Sequence, residues 1–274
     1  MATNFLKMHG AGNDVVVIMA NSDDPLPATT RVRELAHRRT GIGFDQLIWV
    51  TPEATPGIDA HYRIYNADGS EVEQCGNGAR CLARAWHDHT GAGPQLTFSS
   101  PAGPIEAEIT GNEVALNMGP PRRPAADLPS AANDPSPLAS IEALGQAWPL
   151  WLVSMGNPHA VLLVDDVRTA PVAALGPALQ QHPAFPAAVN VGFLAVTARN
   201  KAMLRVYERG SGETLACGSG ACAAAVAGRL AGHLDERVTL TLPGGDLVVS
   251  WRGLNDPVWL RGPADYAYHG TLDL

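Results

Sequence analysis

The chain has 274 residues and a formal net charge of −8 at pH 7, and it is long enough for two domains that each bury a core. Nucleic acids and anionic membranes are not expected as partners, because the chain has no surplus of Lys and Arg to neutralise phosphates. No apolar stretch approaches the roughly 20 residues that span a bilayer and the N-terminus lacks the layout of a signal peptide, so we expect a cytoplasmic protein.

The first half of the sequence predicts short strands and two helices. A glycine-rich segment at 8–14 leads into a buried strand at 15–19. Helical periodicity over 31–39 ends at a Gly-Ile-Gly stop signal, and a second helix is predicted at 77–89. Alternating or apolar runs predict further strands at 46–50, 61–65, 95–99, 105–109 and 113–117.

Residues 119–149 are rich in Pro and Ala and show little periodicity, so the connection between two halves is predicted there. Helices are predicted at 172–181 and 219–231. The second of them is apolar on all sides and must therefore be surrounded by other elements. Strands are predicted at 151–154, 160–164, 190–193, 203–208, 238–242, 247–251 and 258–261.

Two segments, residues 63–80 and 205–222, are copies of one pattern and align without a gap at a constant offset of 142 positions. In each copy a β-type run passes through a Gly-containing turn to a cysteine, and a Gly-x-Gly-Ala helix start follows directly. The repeat predicts an α/β (α+β) fold of two pseudo-symmetric domains. Each domain is expected to be a mostly antiparallel sheet or barrel wrapped around a central helix, with the active site in the cleft between the domains.

The four cysteines are too few for a disulfide scaffold, and a reducing compartment would keep them free. A metal site is not expected, because no Cys-x-x-Cys pattern occurs. Cys81 and Cys222 fall within the predicted helices and are interpreted as core residues. Cys75 and Cys217 begin the two repeated helix starts and are the candidates for chemistry.

Cys75 and Cys217 occupy positions that can activate a thiol. The first amides of a helix have no intrahelical partner and carry partial positive charge, and the neighbouring glycines leave them open to a carboxylate. The same field predicts thiol pKa values lowered toward neutrality. A single cysteine is more often an ordinary buried residue, but two in matched glycine-rich helix starts favour a functional pair.

A matched pair of thiols suits proton transfer at a carbon next to a carboxylate. One thiolate can remove the proton while the other thiol returns one to the opposite face. Helix amides would stabilise the charge that develops on the carboxylate. Two thiols acting on one carbon would titrate as a coupled pair.

Further motifs surround the cysteine loops. They are MHGAGND at 8–14, GIGFDQ at 41–46, YNADGS at 65–70, SMGNPH at 154–159, VN at 189–190 and YER at 207–209. Together with both Cys-Gly-x-Gly loops they resemble the diaminopimelate epimerases, which interconvert L,L- and meso-diaminopimelate without pyridoxal phosphate in lysine and peptidoglycan synthesis. The resemblance covers nearly the whole chain, apart from residues 120–150 and the last few positions.

The resemblance implies roles for individual residues. Cys75 and Cys217 would be the catalytic acid/base pair, His159 and Glu208 would modulate their pKa values, and no cofactor would be needed. The implied substrate-binding residues are Asn13, Gln46, Asn66, Gly76, Asn77, Asn157, Asn190, Glu208, Arg209, Gly218 and Ser219. Diaminopimelate is zwitterionic at both ends, so a selective site needs a cation such as Arg209 and acceptors such as Glu208.

The resemblance also implies an organisation of the chain. The first domain would comprise residues 1–118 and be completed by 263–274, and the second would comprise 119–262. The family further implies a homodimer in which Tyr268 contacts the partner, with diaminopimelate as the small-molecule ligand.

Several residues have simpler interpretations from the sequence alone. An Asn beside Gly or Pro, as at Asn13, Asn66 and Asn157, is typical of a turn. Arg63 and Arg205 open the two repeats, and ion pairing at a strand edge or between domains is expected of them. Asp45 and Asp68 are expected to order their loops.

Three alternative functions follow from the same residues. Proline racemases and hydroxyproline epimerases use the same two-thiol logic, but their substrates would leave Arg209 without a partner. The phenazine-pathway isomerases are expected to share the fold, but they carry a carboxylate where one of the cysteines stands here. A thiol-disulfide redox or binding protein would instead bond Cys75 to Cys217.

Overall fold

The computed structural model describes residues 2–72, 75–122 and 138–273. The chain forms two compact units, Met1–Asn117 with Arg261–Leu274, and Met118–Leu260. Both units are mixed α/β and consist mostly of strands, so the predicted fold class of two repeated domains is confirmed. Within the described residues, no helix is long and apolar enough to cross a membrane.

The first unit has two helices, α1 (Thr29–Ala36) and α2 (Gly76–Thr90). Its strands are β1 (Ala2–Gly10), β2 (Asn13–Met19), β3 (Gln46–Pro52), β4 (Ala60–Asn66), β5 (Glu71–Val72), β6 (Gln95–Ser100), β7 (Gly103–Thr110) and β8 (Glu113–Asn117). They pair in the order β1-β2-β3-β4-β6-β7-β8, with β5 also on β4. Among the strand pairs that the described residues form, β2/β3 and β4/β6 are parallel.

The second unit repeats this topology around α3 (Val172–Gln180) and α4 (Gly218–Leu230). Its strands are β9 (Leu138–Ala143), β10 (Gln146–Ser154), β11 (Pro158–Leu163), β12 (Asn190–Ala198), β13 (Lys201–Glu208), β14 (Gly212–Thr214), β15 (Arg237–Leu242) and β16 (Gly245–Ser250). The parallel pairs, β11/β12 and β13/β15, fall at the equivalent places. Two strands follow, β17 (Trp259–Pro263) and β18 (Asp265–Asp273), and β18 pairs with β1.

The sequence repeat is also a repeat of register. Ile64 pairs with Val72 on β4/β5, and 142 positions later Val206 pairs with Thr214 on β13/β14. The arginines that open the repeats form ion pairs inside their own units. Arg63 donates to Glu71 and Arg205 donates to Glu213, and both pairs are again 142 positions apart.

One helix in each unit is wrapped by strands. α2 contacts β1, β2, β3, β7 and β8, and α4 contacts β10 to β13 together with β15 and β16. Every residue from Gly220 to Gly228 of α4 is buried. The absence of a polar face on this helix therefore predicted its surroundings correctly. The outer helices cover the other faces, α1 through Val32, Leu35 and Ala36 and α3 through Val172, Leu175 and Leu179.

The predicted connection at 119–149 is wrong in its second part. β9 and the start of β10 occupy Leu138–Ala143 and Gln146 onward, joined by a two-residue turn. Leu144 and Gly145 both have positive φ, 53° and 77°, as the tight hairpin turns that match strand twist require. In β9 the apolar residues Ala139, Ile141 and Ala143 alternate with Ser140 and Glu142, but this pattern is short and follows a long Pro- and Ala-rich stretch, so the sequence analysis did not identify the strand. Residues 123–137 lie outside the described residues.

The two terminal strands were also missed. β1 (Ala2–Gly10) runs into the glycine-rich segment and ends in a two-residue turn at Ala11 and Gly12, both with positive φ. β18 pairs along β1 with a register shift between Lys7 and Met8. β18 is exposed over most of its length, and its alternating apolar residues Tyr266, Tyr268 and Leu272 are interrupted by Gly270, so its strand signal is weak.

Gly176 lets α3 approach β13 closely, because a Cβ at this position would lie 2.5 Å from Tyr207 Cγ and 2.8 Å from Tyr207 Cβ. Gly176→Ala gains about 1 kcal/mol of helix propensity but loses about 1–3 kcal/mol through overpacking. We expect a net loss of about 1 kcal/mol in the free energy of unfolding, measured by urea denaturation. Gly93→Ala is the control, since nothing lies within 4 Å of its Cβ; equal midpoints for the two variants would contradict this packing.

Candidate active site

Cys75 is the N-cap residue of α2, and its extended backbone (φ −146°, ψ 106°) turns the side chain back over the helix start. The Gly78 amide donates to the Cys75 sulfur over 3.3 Å. Cys75 itself is partly exposed. The local sequence therefore positions a thiol at the positive end of a helix, where an anion is favoured.

Two amide oxygens also face the Cys75 sulfur. The single thiol proton can be donated to Gln46 Oε1, 3.0 Å from the sulfur, or to Asn13 Oδ1 at 3.6 Å. Gln46 is the first residue of β3, and Asn13 is the first residue of β2. Because these two strands are parallel neighbours, their first residues meet at one edge of the sheet.

Carboxylates fix the direction of these contacts, since an ionised carboxylate can only accept. Asn13 Nδ2 donates to Asp45 over 2.9 Å, which leaves its oxygen for the thiol. On the other side Gln46 donates to Asn66 over 3.5 Å, and Asn66 donates to Ser70 over 3.2 Å. The Ser70 hydroxyl in turn donates to Asp68 over 2.6 Å. The loop-ordering carboxylates therefore also orient the amides around Cys75.

Behind Asn13 lies a charged cluster. Arg38 bridges Asp14 and Asp45, and the buried Lys7 donates to Asp14 and to the Gly43 carbonyl. Burial raises the pKa of Asp14, but hydrogen bonds from Arg38 and Lys7 outweigh burial and hold this pKa well below its usual range. Burial and then the neighbouring Asp14 raise the pKa of Asp45. Sequence analysis did not find Lys7 or Arg38, because neither lies in a recognisable motif.

Arg80 is fully buried inside the first unit. Its guanidinium donates to Asn77 Oδ1 over 2.8 Å, to the Pro263 carbonyl over 3.3 Å and to the Gly76 carbonyl over 3.4 Å. It thereby fixes the first turn of α2 beside Cys75. The sequence held a signal for it, since Arg80 lies in a run of mostly apolar residues from Ala79 to Ala83, and a buried Arg needs polar partners.

Cys217 is the N-cap residue of α4, with φ −125° and ψ 110°. It is buried, and its sulfur lies 3.7 Å from Ser219 Oγ. Burial and then the negative charge of Glu208 raise the pKa of Cys217 well above its usual range, although the Gly220 amide acts in the opposite direction. The prediction of a lowered thiol pKa is therefore wrong for Cys217. Desolvation outweighs the helix field.

His159 is buried behind the α4 start and belongs to a short chain of hydrogen bonds. Asn157 donates to Ser219 Oγ over 3.3 Å, so its oxygen faces His159 Nε2 at 3.0 Å and Nε2 carries the proton. Burial, and next the charge of Arg209, lower the pKa of His159 to about 3. The imidazole is therefore neutral at physiological pH.

The end of β13 carries the remaining candidates. Asn190 accepts from the Arg209 amide over 2.9 Å and donates to the Pro158 carbonyl over 3.0 Å. Arg209 Nη1 donates to the Ala187 carbonyl over 3.0 Å. Glu208 accepts a short hydrogen bond from the Thr214 hydroxyl, a partner that the sequence analysis did not single out.

Two clusters thus contain the predicted site residues. In the first unit Asn13, Gln46, Asn66, Gly76 and Asn77 lie around Cys75. In the second unit Asn157, His159, Asn190, Glu208, Arg209, Gly218 and Ser219 lie around Cys217. Tyr268 pairs with Lys7 across β1/β18, is 48% exposed, and donates its hydroxyl to the Ile42 carbonyl over 3.2 Å.

Known proteins resemble this chain over its full length. The family model described as diaminopimelate epimerase matches residues 5–124 and 151–266. The diaminopimelate epimerase of Pseudomonas entomophila is 48% identical over 276 residues, and that of Thioalkalivibrio sulfidiphilus is 48% identical over 278 residues. In both cases the match covers 100% of each chain.

Solved structures of lower identity share the fold. A hydroxyproline epimerase from Agrobacterium vitis superposes with a TM-score of 0.71 at 16% identity, covering 99% of this chain and 92% of that one. At that identity the likeness concerns the fold alone, whereas the full-length matches near 48% identity concern the family. The chain belongs to the diaminopimelate epimerase family of isomerases.

Proposed function

We propose that the protein interconverts L,L- and meso-diaminopimelate by two-base proton transfer between Cys75, Cys217 and the α-carbon, without a cofactor. The observation that carries this proposal is the matched pair of N-cap cysteines, each at the start of the wrapped helix of its unit. The two units, taken as epimerase domains over 1–118 with 263–274 and over 119–262, would each supply one acid/base group.

The protons balance in this scheme. One cysteine, as thiolate, takes the α-proton and becomes a thiol, and the electron pair left on carbon delocalises into the carboxylate. The other cysteine, as thiol, gives its proton to the opposite face and becomes the thiolate. The helix-start amides at Gly76–Gly78 and Gly218–Gly220 would bind the substrate carboxylate and stabilise its developing charge.

The polar residues of both clusters fit a ligand that carries one ammonium and one carboxylate group at each of its two ends. We infer that Asn13, Gln46 and Asn66 in one unit, and Asn157, Asn190 and Ser219 in the other, bind substrate. Arg209 can pair bidentately with the far carboxylate, and Glu208 can accept from an ammonium group. A site of this kind rejects analogues that lack these groups by several orders of magnitude.

Isotope exchange tests the reaction and the substrate together. In deuterated water, without added pyridoxal phosphate or metal, we expect proton NMR to show deuterium entering the α-position of L,L-diaminopimelate and meso product forming. L-Proline should remain unchanged. Exchange in proline alone would assign the protein to the racemase relatives, and exchange in neither substrate would contradict the proposal.

Cysteine variants are the controls for this exchange. Cys75→Ala and Cys217→Ala should each lower the rate by roughly 10²–10⁴-fold, the range that a general acid or base supplies, while circular dichroism stays unchanged. Cys222→Ala, in the same helix as Cys217, should keep the rate within a few-fold. Rapid epimerisation by either catalytic variant would rule out the two-base scheme.

His159 is proposed to adjust the environment of Cys217 as a neutral group, because burial holds its pKa at about 3, against 6.5 when unperturbed. Below pH 6.5 His159 becomes protonated in the unfolded chain but stays neutral in the folded chain. The free energy of unfolding therefore keeps its full value above pH 6.5 and decreases as the pH falls toward 3.

We expect His159→Gln to flatten this dependence. Between pH 7 and pH 4.5 the wild type should lose on the order of 2 kcal/mol more unfolding free energy than the variant. Urea denaturation at both pH values measures the difference, and all other acids contribute equally to the two proteins. Parallel losses would mean that the imidazole is protonated in the folded state.

We further propose a cytoplasmic homodimer with Tyr268 at the contact. Support comes from the exposure of Tyr266 and Tyr268 on β18, 43% and 48%, since large exposed aromatic residues often mark interfaces. A reducing cytoplasm would also keep both thiols free, which cell fractionation can check.

Sedimentation tests the assembly. The wild type should sediment with about twice the 28.8 kDa chain mass, and Tyr268→Ala should move toward the mass of one chain because an aromatic anchor is lost. Leu254→Ala, at a 62% exposed position of the other unit, should leave the mass unchanged. A wild type that sediments as one chain would refute the dimer.

A further inference from the structure

Thr214 and Glu208 lie on one hairpin of the second unit. Val206 pairs with Thr214 and Glu208 pairs with Gly212, so Thr214 is the diagonal neighbour of Glu208 on the same face. The Thr214 hydroxyl donates to Glu208 Oε1. Both side chains are half-buried, so water competes only in part for this hydrogen bond.

The first unit provides an internal comparison. The positions equivalent to Glu208 and Thr214 are Asn66 and Val72, in the same register. The neutral amide of Asn66 donates to Ser70 and has a methyl-bearing side chain, without a hydroxyl, at the diagonal position. The hydroxyl therefore occurs in the half that carries a carboxylate, and valine fills the same backbone position in the half that carries an amide.

The carboxylate that Thr214 binds also acts on the thiol. Glu208 interacts with Cys217 both by charge and by a side-chain hydrogen bond. The other charged or titratable groups near Glu208 and Cys217 have partners of their own or are neutral. Glu213 pairs with Arg205, Arg209 donates to the Ala187 carbonyl, and burial keeps His159 unprotonated.

We propose that Thr214 is a positioning residue whose hydroxyl holds the Glu208 carboxylate in the orientation that faces the Cys217 thiol. The inference deepens the proposed function, in which Cys217 is one of two proton-transfer groups, and its relevance to turnover rests on that function. A hydrogen bond to a charged group is strong enough to select one carboxylate orientation over others.

Two substitutions separate the hydroxyl from the shape of the side chain. Thr214→Val replaces the hydroxyl by a methyl group and gives the residue that the first unit has at the equivalent position, Val72. Thr214→Ser keeps the hydroxyl. Thr241→Val is the matched control, since it removes another threonine hydroxyl that donates to a carboxylate, Asp246, within the same unit. The direct readout is the titration of the Cys217 ¹³Cβ signal in the full-length protein labelled with [β-¹³C]cysteine.

In Thr214→Val the carboxylate should turn away or accept a proton more readily, so that Cys217 loses a negative neighbour. We expect its titration midpoint to fall by at least about half a pH unit and kcat to fall about tenfold, as fewer molecules hold the thiol aligned. Thr214→Ser and Thr241→Val should keep the wild-type midpoint and a kcat within twofold.

An unchanged midpoint in Thr214→Val would overturn the proposal. Equal shifts in Thr214→Val and Thr214→Ser would also overturn it, because packing rather than the hydroxyl would then be responsible. If the wild type leaves diaminopimelate unchanged, the proposed function fails, but the titration still decides whether Thr214 acts on Cys217 through Glu208.

Discussion

The position of a cysteine at the start of a wrapped helix is the constraint on which the rest of each unit depends. Cys75 and Cys217 both have the extended backbone of an N-cap residue, and at Cys75 the sulfur accepts from the Gly78 amide. Gly78 and Gly220 are tightly surrounded, because a Cβ would fall 2.8 Å from Ile48 Cδ1 at Gly78 and 3.1 Å from Cys217 Sγ at Gly220. Each helix start carries the candidate cysteine, while the rest of the helix fills the core that the strands wrap.

The two units keep one backbone and change its electrostatics. The ion pairs Arg63–Glu71 and Arg205–Glu213 hold the same hairpin in each unit, so the backbone around the site is repeated. Around Cys75 the polar neighbours are side-chain amides, and carboxylates orient these amides through one or more hydrogen bonds. Around Cys217 a carboxylate interacts directly. A reaction that transfers protons at both faces of one carbon needs two thiols in similar backbone geometry. The charged neighbours of the two thiols can differ, and the repeat allows this because it fixes the backbone but not the side chains.

Much of this was predictable because the informative residues are local in sequence. The repeat at offset 142, the apolar α4 and the glycine-flanked cysteines each follow from spacing or periodicity. What could not be predicted depends on residues far apart in the chain. The buried Arg80 finds its acceptor at Pro263 only after the C-terminal segment returns to the first unit. The alternation in β9 and in the exposed strand β18 is short or interrupted. Lys7, Arg38 and Thr214 gain significance only from partners that folding supplies.

The raised pKa of Cys217 shows why a helix start alone does not make a thiolate. A helix N-terminus favours an anion by about 0.3–1 kcal/mol at exposed sites, whereas full burial can shift a pKa by up to about 3–5 units. Burial and a neighbouring carboxylate therefore dominate, and the resting thiol stays protonated. In the proposed function, a positive charge that arrives with the ligand would favour ionisation of Cys217. An amino-acid substrate carries such a charge, its ammonium group, on the carbon that loses the proton, so we expect substrate binding to favour the base form of this thiol.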